Sequence, residues 1–171
     1  LEKGADIEAK DESGDTALMR AASHDREEVV RILLENGADI EAKGWRGRTV
    51  LMQATSHGRE EVVKILLENG ADIDAKDESG VTVLMQAQLQ GREEVVKILL
   101  ENGADIDAKE GHGITALMCA SYQGSEELVK ILLENGADIE AKDEHGRTAL
   151  SLASYWDHKE VVKILLEKGA D

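Results

Sequence analysis

The strings LLENGADIEAK at 33–43, LLENGADIDAK at 66–76 and 99–109, and LLENGADIEAK at 132–142 recur at a strict period of 33 residues. A chain that repeats itself at such a period folds as an array of like units, because each unit buries its apolar face only against its neighbours. Aligned on the period, the sequence divides into a partial leader (1–10), four complete units (11–43, 44–76, 77–109 and 110–142) and a nearly complete fifth (143–171). A single repeat domain is expected to span 1–171. The chain opens at Leu1 in mid-pattern without an initiator methionine, and an excised segment or a processed chain is the expectation.

Each unit carries two helical signals. The first runs from a threonine (Thr16, Thr49, Thr82, Thr115 or Thr148) into a leucine two positions on and an alanine three beyond that. Threonine is a natural N-cap, because its hydroxyl accepts an otherwise unpaired N–H of the first turn. The second runs through Glu-Val-Val-Lys-Ile-Leu-Leu, as at 61–67, where Val62, Val63, Leu66 and Leu67 take the spacing of one apolar face. Gly37, Gly70, Gly103, Gly136 and Gly169 follow these runs and are expected to close them in the left-handed conformation. An extended Ala-Asp-Ile-Glu/Asp-Ala-Lys turn leads to the next unit.

These residues resemble the ankyrin repeat family, whose units carry T-P-L-H-x-A-A, a glycine between helices, E-V-V-x-L-L-L and G-A-D-V-N-A. The resemblance covers the whole chain. It implies an all-α solenoid of antiparallel helix pairs with β-turn fingers, first helices lining a concave side, and recognition of protein partners by finger tips and first helices. The tetrad here is Thr-Ala/Val-Leu-Met, and Thr-Ala-Leu-Ser in the last unit, so proline and histidine are absent from it. Loss of a proline that presets the backbone costs about 0.4–1 kcal/mol per unit. Met19, Met52, Met85 and Met118 are expected to fill gaps between helices. Asp25 and Asp157 stand where Gly58, Gly91 and Gly124 join the helices, so the first and last full units are expected to be the softest.

With the period removed, variation collects at the finger tips and along the first helices, and all four aromatic residues fall there. Exposed Trp and Tyr bury large area at low entropy cost, which makes Trp45, Tyr122, Tyr155 and Trp156 candidate partner anchors. Arg46, Arg48, His112 and Arg147 are candidates to orient the partner, and His57, Leu89 and Ile114 complete the expected binding set. The variable positions hold four acids (Glu12, Asp15, Glu78, Glu144) and four bases (Arg20, Arg46, Arg48, Arg147), so the net charge of -16 belongs to the framework. A near-constant framework with concentrated variation fits two origins, a selected or engineered binding scaffold and a recently duplicated natural array.

That acidic balance argues against nucleic acid as a partner, since phosphate is held by clustered Lys and Arg. No apolar run approaches the roughly 20 residues that span a bilayer, so no membrane partner is expected. The one cysteine, Cys119, excludes an internal disulfide and fits a cytoplasmic setting. The five histidines match no zinc spacing, and the recurrent acid pairs such as Glu27-Glu28 sit where they favour a helix dipole. No metal, no cofactor and no catalytic residue is expected. The leading reading is a monomeric protein-binding module. Its alternatives are self-association through open ends of the array, where Val161, Val162, Ile164, Leu165 and Leu166 close the last unit, and a small-molecule pocket.

Overall fold

The computed structural model describes residues 4–171. Five helix pairs follow one another: α1 (Ala17–Ser23) and α2 (Glu27–Glu35), α3 (Val50–Ser56) and α4 (Glu60–Glu68), α5 (Val83–Leu89) and α6 (Glu93–Glu101), α7 (Ala116–Gln123) and α8 (Glu126–Glu134), α9 (Ala149–Tyr155) and α10 (Lys159–Glu167). First helices stack on first helices, second on second, and each first helix packs against its own partner. Among the described residues the extended pairing is confined to isolated bridges at the base of two fingers, Lys43 with Thr49 and Lys76 with Thr82.

The local signals act as read. Each threonine hydroxyl accepts the N–H three residues on, from Met19, Met52, Met85, Met118 or Ser151. Second helices end in a Schellman closure: Gly37 N–H donates to Leu34 and Ala38 N–H to Leu33, both at 3.0 Å, with Gly37 at φ 84°. The four methionines are fully buried in the array. Asp25 (φ 60°) and Asp157 (φ 58°) take the left-handed conformation of Gly58 (φ 66°). The apolar face of α4 differs slightly from the expected one: Ile65 joins Val62, Val63 and Leu66 in the core, while Leu67 lies half-buried at its edge.

Two sets of hydrogen bonds lock unit to unit. The acid in the Ile-Glu/Asp-Ala-Lys turn accepts the N–H of the aspartate that opens the same turn one unit later. Glu8 to Asp39, Glu41 to Asp72, Asp74 to Asp105, Asp107 to Asp138 and Glu140 to Asp171 all lie at 2.7–2.9 Å. The second set satisfies carbonyls at the ends of first helices, which have no intrahelical partner. Arg59 Nε donates to Ser23, Arg92 Nε to Ser56, and His158, in the tautomer protonated at Nε2, to Tyr122. In the fourth unit the equivalent residue is Ser125, and Gln123 Nε2 serves the Leu89 carbonyl instead, at 3.4 Å.

Candidate partner-binding groove

The aromatic residues stand at the surface, as their positions predict: Trp45 is 60 % exposed, Tyr122 49 %, Tyr155 80 % and Trp156 48 %. They form two groups. Tyr122 near the end of α7 and Tyr155 at the end of α9 both meet Trp156 edge to face, with ring centroids 5.1 and 5.3 Å apart. Trp45 belongs to the second finger and pairs with cations, Arg46 Cζ at 4.3 Å and Arg48 Cζ at 5.9 Å from its ring centroid.

Beside the three-ring cluster lies a groove with two compartments. One, of about 240 Å³, is walled by Leu89, Ile114, Met118, Cys119, Tyr122 and Leu152, with Gln123 and Arg147 as its polar lining. The other, of about 510 Å³, is walled by Tyr122, Arg147, Ser151, Leu152, Tyr155 and Trp156. Tyr122, Arg147 and Leu152 belong to both, so the two compartments adjoin along the third, fourth and fifth units. A concave, largely apolar wall with a few polar groups is the usual form of a recognition site. Six of the expected site residues meet there: Leu89, Ile114, Tyr122, Arg147, Tyr155 and Trp156.

Burial pushes the Cys119 thiol up to about 12, with the negative charge of Glu110 adding to the effect. It is a protonated, apolar part of the wall and a poor nucleophile. Arg147 is set by its own finger. Its Nε donates to Asp143 Oδ2 at 2.7 Å, while Asp143 Oδ1 accepts the N–H groups of His145 and Arg147 at 2.9 Å. Burial pushes the Asp143 carboxyl upward, but the Arg147 N–H and guanidinium, with the His145 N–H, outweigh it and hold the group below its ordinary value.

The second finger is built differently. Asp11, Asp77, Glu110 and Asp143 each open a finger by accepting a backbone N–H two residues on. Gly44 takes that place in the second unit and has no carboxylate to offer. A Cβ there would come within 2.8 Å of Asp15 Oδ1 and 3.0 Å of Met19 Sδ, so a larger residue would have to displace these two side-chain ends of the first unit. The tip turns through Arg46 (φ 57°) and Gly47 (φ 70°) instead, closed by Arg48 N–H on the Trp45 carbonyl at 3.3 Å. Arg48 Nε faces Asp77 Oδ2 of the next finger at 3.9 Å.

The remaining expected residues lie apart from the groove. His57 Nδ1 rests 2.9 Å from the Gln53 carbonyl at the end of α3, and His112 Nδ1 is 3.5 Å from Glu144 Oε2 on the neighbouring finger. The variable first-helix positions are not all surface: Ser23, Thr55, Gln86, Gln88 and Ser121 are buried, because the helical turn carries them against neighbouring helices. Gln88 Nε2 there donates to Gln123 Oε1 at 2.8 Å. Cys119, Gln123 and Leu152 line the groove without having been singled out for it, although each sits at a variable position. Met118 carried no such signal, since methionine recurs at its place.

Among the described residues no group of three or more His, Cys, Asp or Glu side chains is placed to hold a metal ion, and no helix is long and apolar enough to cross a membrane. Compared with known families, the chain matches the profile described as Ankyrin repeats in three copies, over residues 1–44, 41–110 and 109–171. No curated protein matches it.

Proposed function

Because the chain belongs to the ankyrin repeat family, whose repeats are generally protein-interaction modules, we propose that residues 1–171 form one repeat domain that binds another protein, as a monomer and without chemistry of its own. The observation that carries this reading is the pair of adjoining, largely apolar compartments flanked by three exposed rings, Tyr122, Tyr155 and Trp156. Rings held in mutual contact lose little freedom on binding, so their buried area goes largely into affinity. Trp45, Arg46 and Arg48 form a second and smaller contact on their finger, with His57 and His112 at the periphery.

The test is affinity capture and a titration with the captured partner, comparing the parent with Tyr122→Ala/Tyr155→Ala/Trp156→Ala and, separately, with Trp45→Ala, all checked for folding by circular dichroism. The triple variant is expected to lose the partner, since one anchoring ring is worth about 2 kcal/mol, or roughly thirtyfold in affinity. Trp45→Ala is expected to weaken binding less. A triple variant that binds like the parent would remove the groove from the function.

A second reading, self-association, draws on the first helix pair. Val29 and Ile32 are nearly half exposed there, whereas their counterparts Val62 and Ile65 are buried against the preceding unit. At the other end Leu166 is exposed while Val161 and Leu165 are buried, and these few side chains fall far short of the roughly 1,000 Å² that a stable interface buries, so the groove is the stronger candidate.

A further inference from the structure

We infer that the groove receives an extended acidic segment in which one carboxylate is flanked by bulky apolar side chains, an inference that rests on the groove being the partner-binding surface. Arg147 lines both compartments and stands between them. Its Nε donates to Asp143 Oδ2 at 2.7 Å, and its side chain stays nearly half exposed. The Asp143 side chain is sealed from solvent, with both oxygens held by its own finger. The charge that meets an incoming ligand is therefore the guanidinium. Two Nη groups in one plane match the two oxygens of a carboxylate, a pairing that a lysine or a neutral amide on the ligand does not reproduce.

The surroundings place the rest of the ligand. Glu110 lies close enough to act on Cys119, so the smaller compartment disfavours a second acid and takes an apolar side chain against Leu89, Ile114 and Leu152. On the other side of Arg147, Tyr155 and Trp156 offer ring surface to another. A basic side chain in that central place would meet the like charge of Arg147. The -16 net charge of the chain does not reverse this preference, because exposed charges beyond about 8 Å are screened at physiological ionic strength.

A displayed library of random dodecapeptides tests the inference on three proteins: the parent, Tyr122→Ala, and Asp143→Asn/Arg147→Met, which removes the guanidinium without stranding a buried carboxylate. The parent is expected to enrich peptides carrying Asp or Glu between bulky apolar residues. Changing that acid to its amide should weaken binding to the parent by about tenfold to a hundredfold, and to the double variant by less than about twofold. Enriched peptides that lack the acid, or carry Lys or Arg in its place, and that Tyr122→Ala no longer binds would overturn the acidic ligand and leave the groove standing. Absence of any enrichment on the parent over Tyr122→Ala would remove both.

Discussion

Asp143 is sealed from solvent while its partner Arg147 stands nearly half exposed, so the pair couples a buried acid to a surface cation. Its carboxyl is held below its ordinary value, against the upward push of burial, by the Arg147 and His145 N–H groups and the guanidinium. The sign follows from linkage. A carboxyl whose folded value lies below the unfolded one, about 3.9, contributes stability that is present above that pH and lost as the pH falls through the folded value. Asp143→Asn keeps the amide oxygen that accepts the two N–H groups but loses the charge opposite Arg147. Urea midpoints of the parent and Asp143→Asn are expected to differ most near neutral pH and to converge below about pH 4. A gap that stays constant into acid would mean that the charge is not what holds this finger. Arg46 makes the opposite point about single residues. Its left-handed backbone costs a non-glycine residue about 1–2 kcal/mol, and it occurs in the finger that opens on Gly44 instead of on an acid.

The helix pairs differ in how their joints are made. Gly58, Gly91 and Gly124 turn left-handed without strain, whereas Asp25 and Asp157 carry a Cβ through the same turn. Asp25→Gly and Asp157→Gly are each expected to stabilise the fold by about 0.5 kcal/mol, the strain relieved being partly offset by the freedom glycine adds to the unfolded chain. Amide exchange in the parent should show α1, α2, α9 and α10 opening before the central helices, and the glycine variants should narrow that difference. Uniform protection across all five pairs would sink the idea. Joints and caps are legible in the sequence because donor and acceptor lie a few residues apart, as Thr16 and Met19 do. The bonds between units are not, because their partners lie 31 to 36 residues apart. Nothing local says that Gln123 takes the place of the arginine that Ser125 has lost. The groove was half legible for the same reason. Variation and aromatic character marked Tyr122, Tyr155 and Trp156, but only stacking shows that they meet one another and that Trp45 does not join them.

Across the whole molecule the period makes the architecture readable, and the charge sets how that architecture responds to its solvent. Every second helix carries acid in its first turn, such as Glu60 and Glu61 or Glu126 and Glu127, and second helices stack on second helices. Some of these acids are answered locally: Lys64 on Glu61, Lys97 on Glu94 and Lys163 on Glu160, at 2.6–2.7 Å, exposed pairs that solvent largely screens. The excess of 16 negative charges is not answered. Two like charges about 12 Å apart in water repel by roughly 0.3 kcal/mol, and each excess acid has several such neighbours in the folded array, so the repulsion outweighs what the three pairs supply. Folding brings these charges closer than the unfolded chain holds them, and raising the ionic strength from about 0.01 M to 0.5 M shortens the screening length from about 30 Å to under 8 Å. The thermal midpoint is therefore expected to rise, by about 2–4 °C for each kcal/mol of repulsion removed in a chain of this size. Sodium chloride is the salt to use, because sulfate would also strengthen burial by exclusion from the surface. A midpoint that falls as chloride is added would show that the local pairs, and not the collective repulsion, govern the stability of the array.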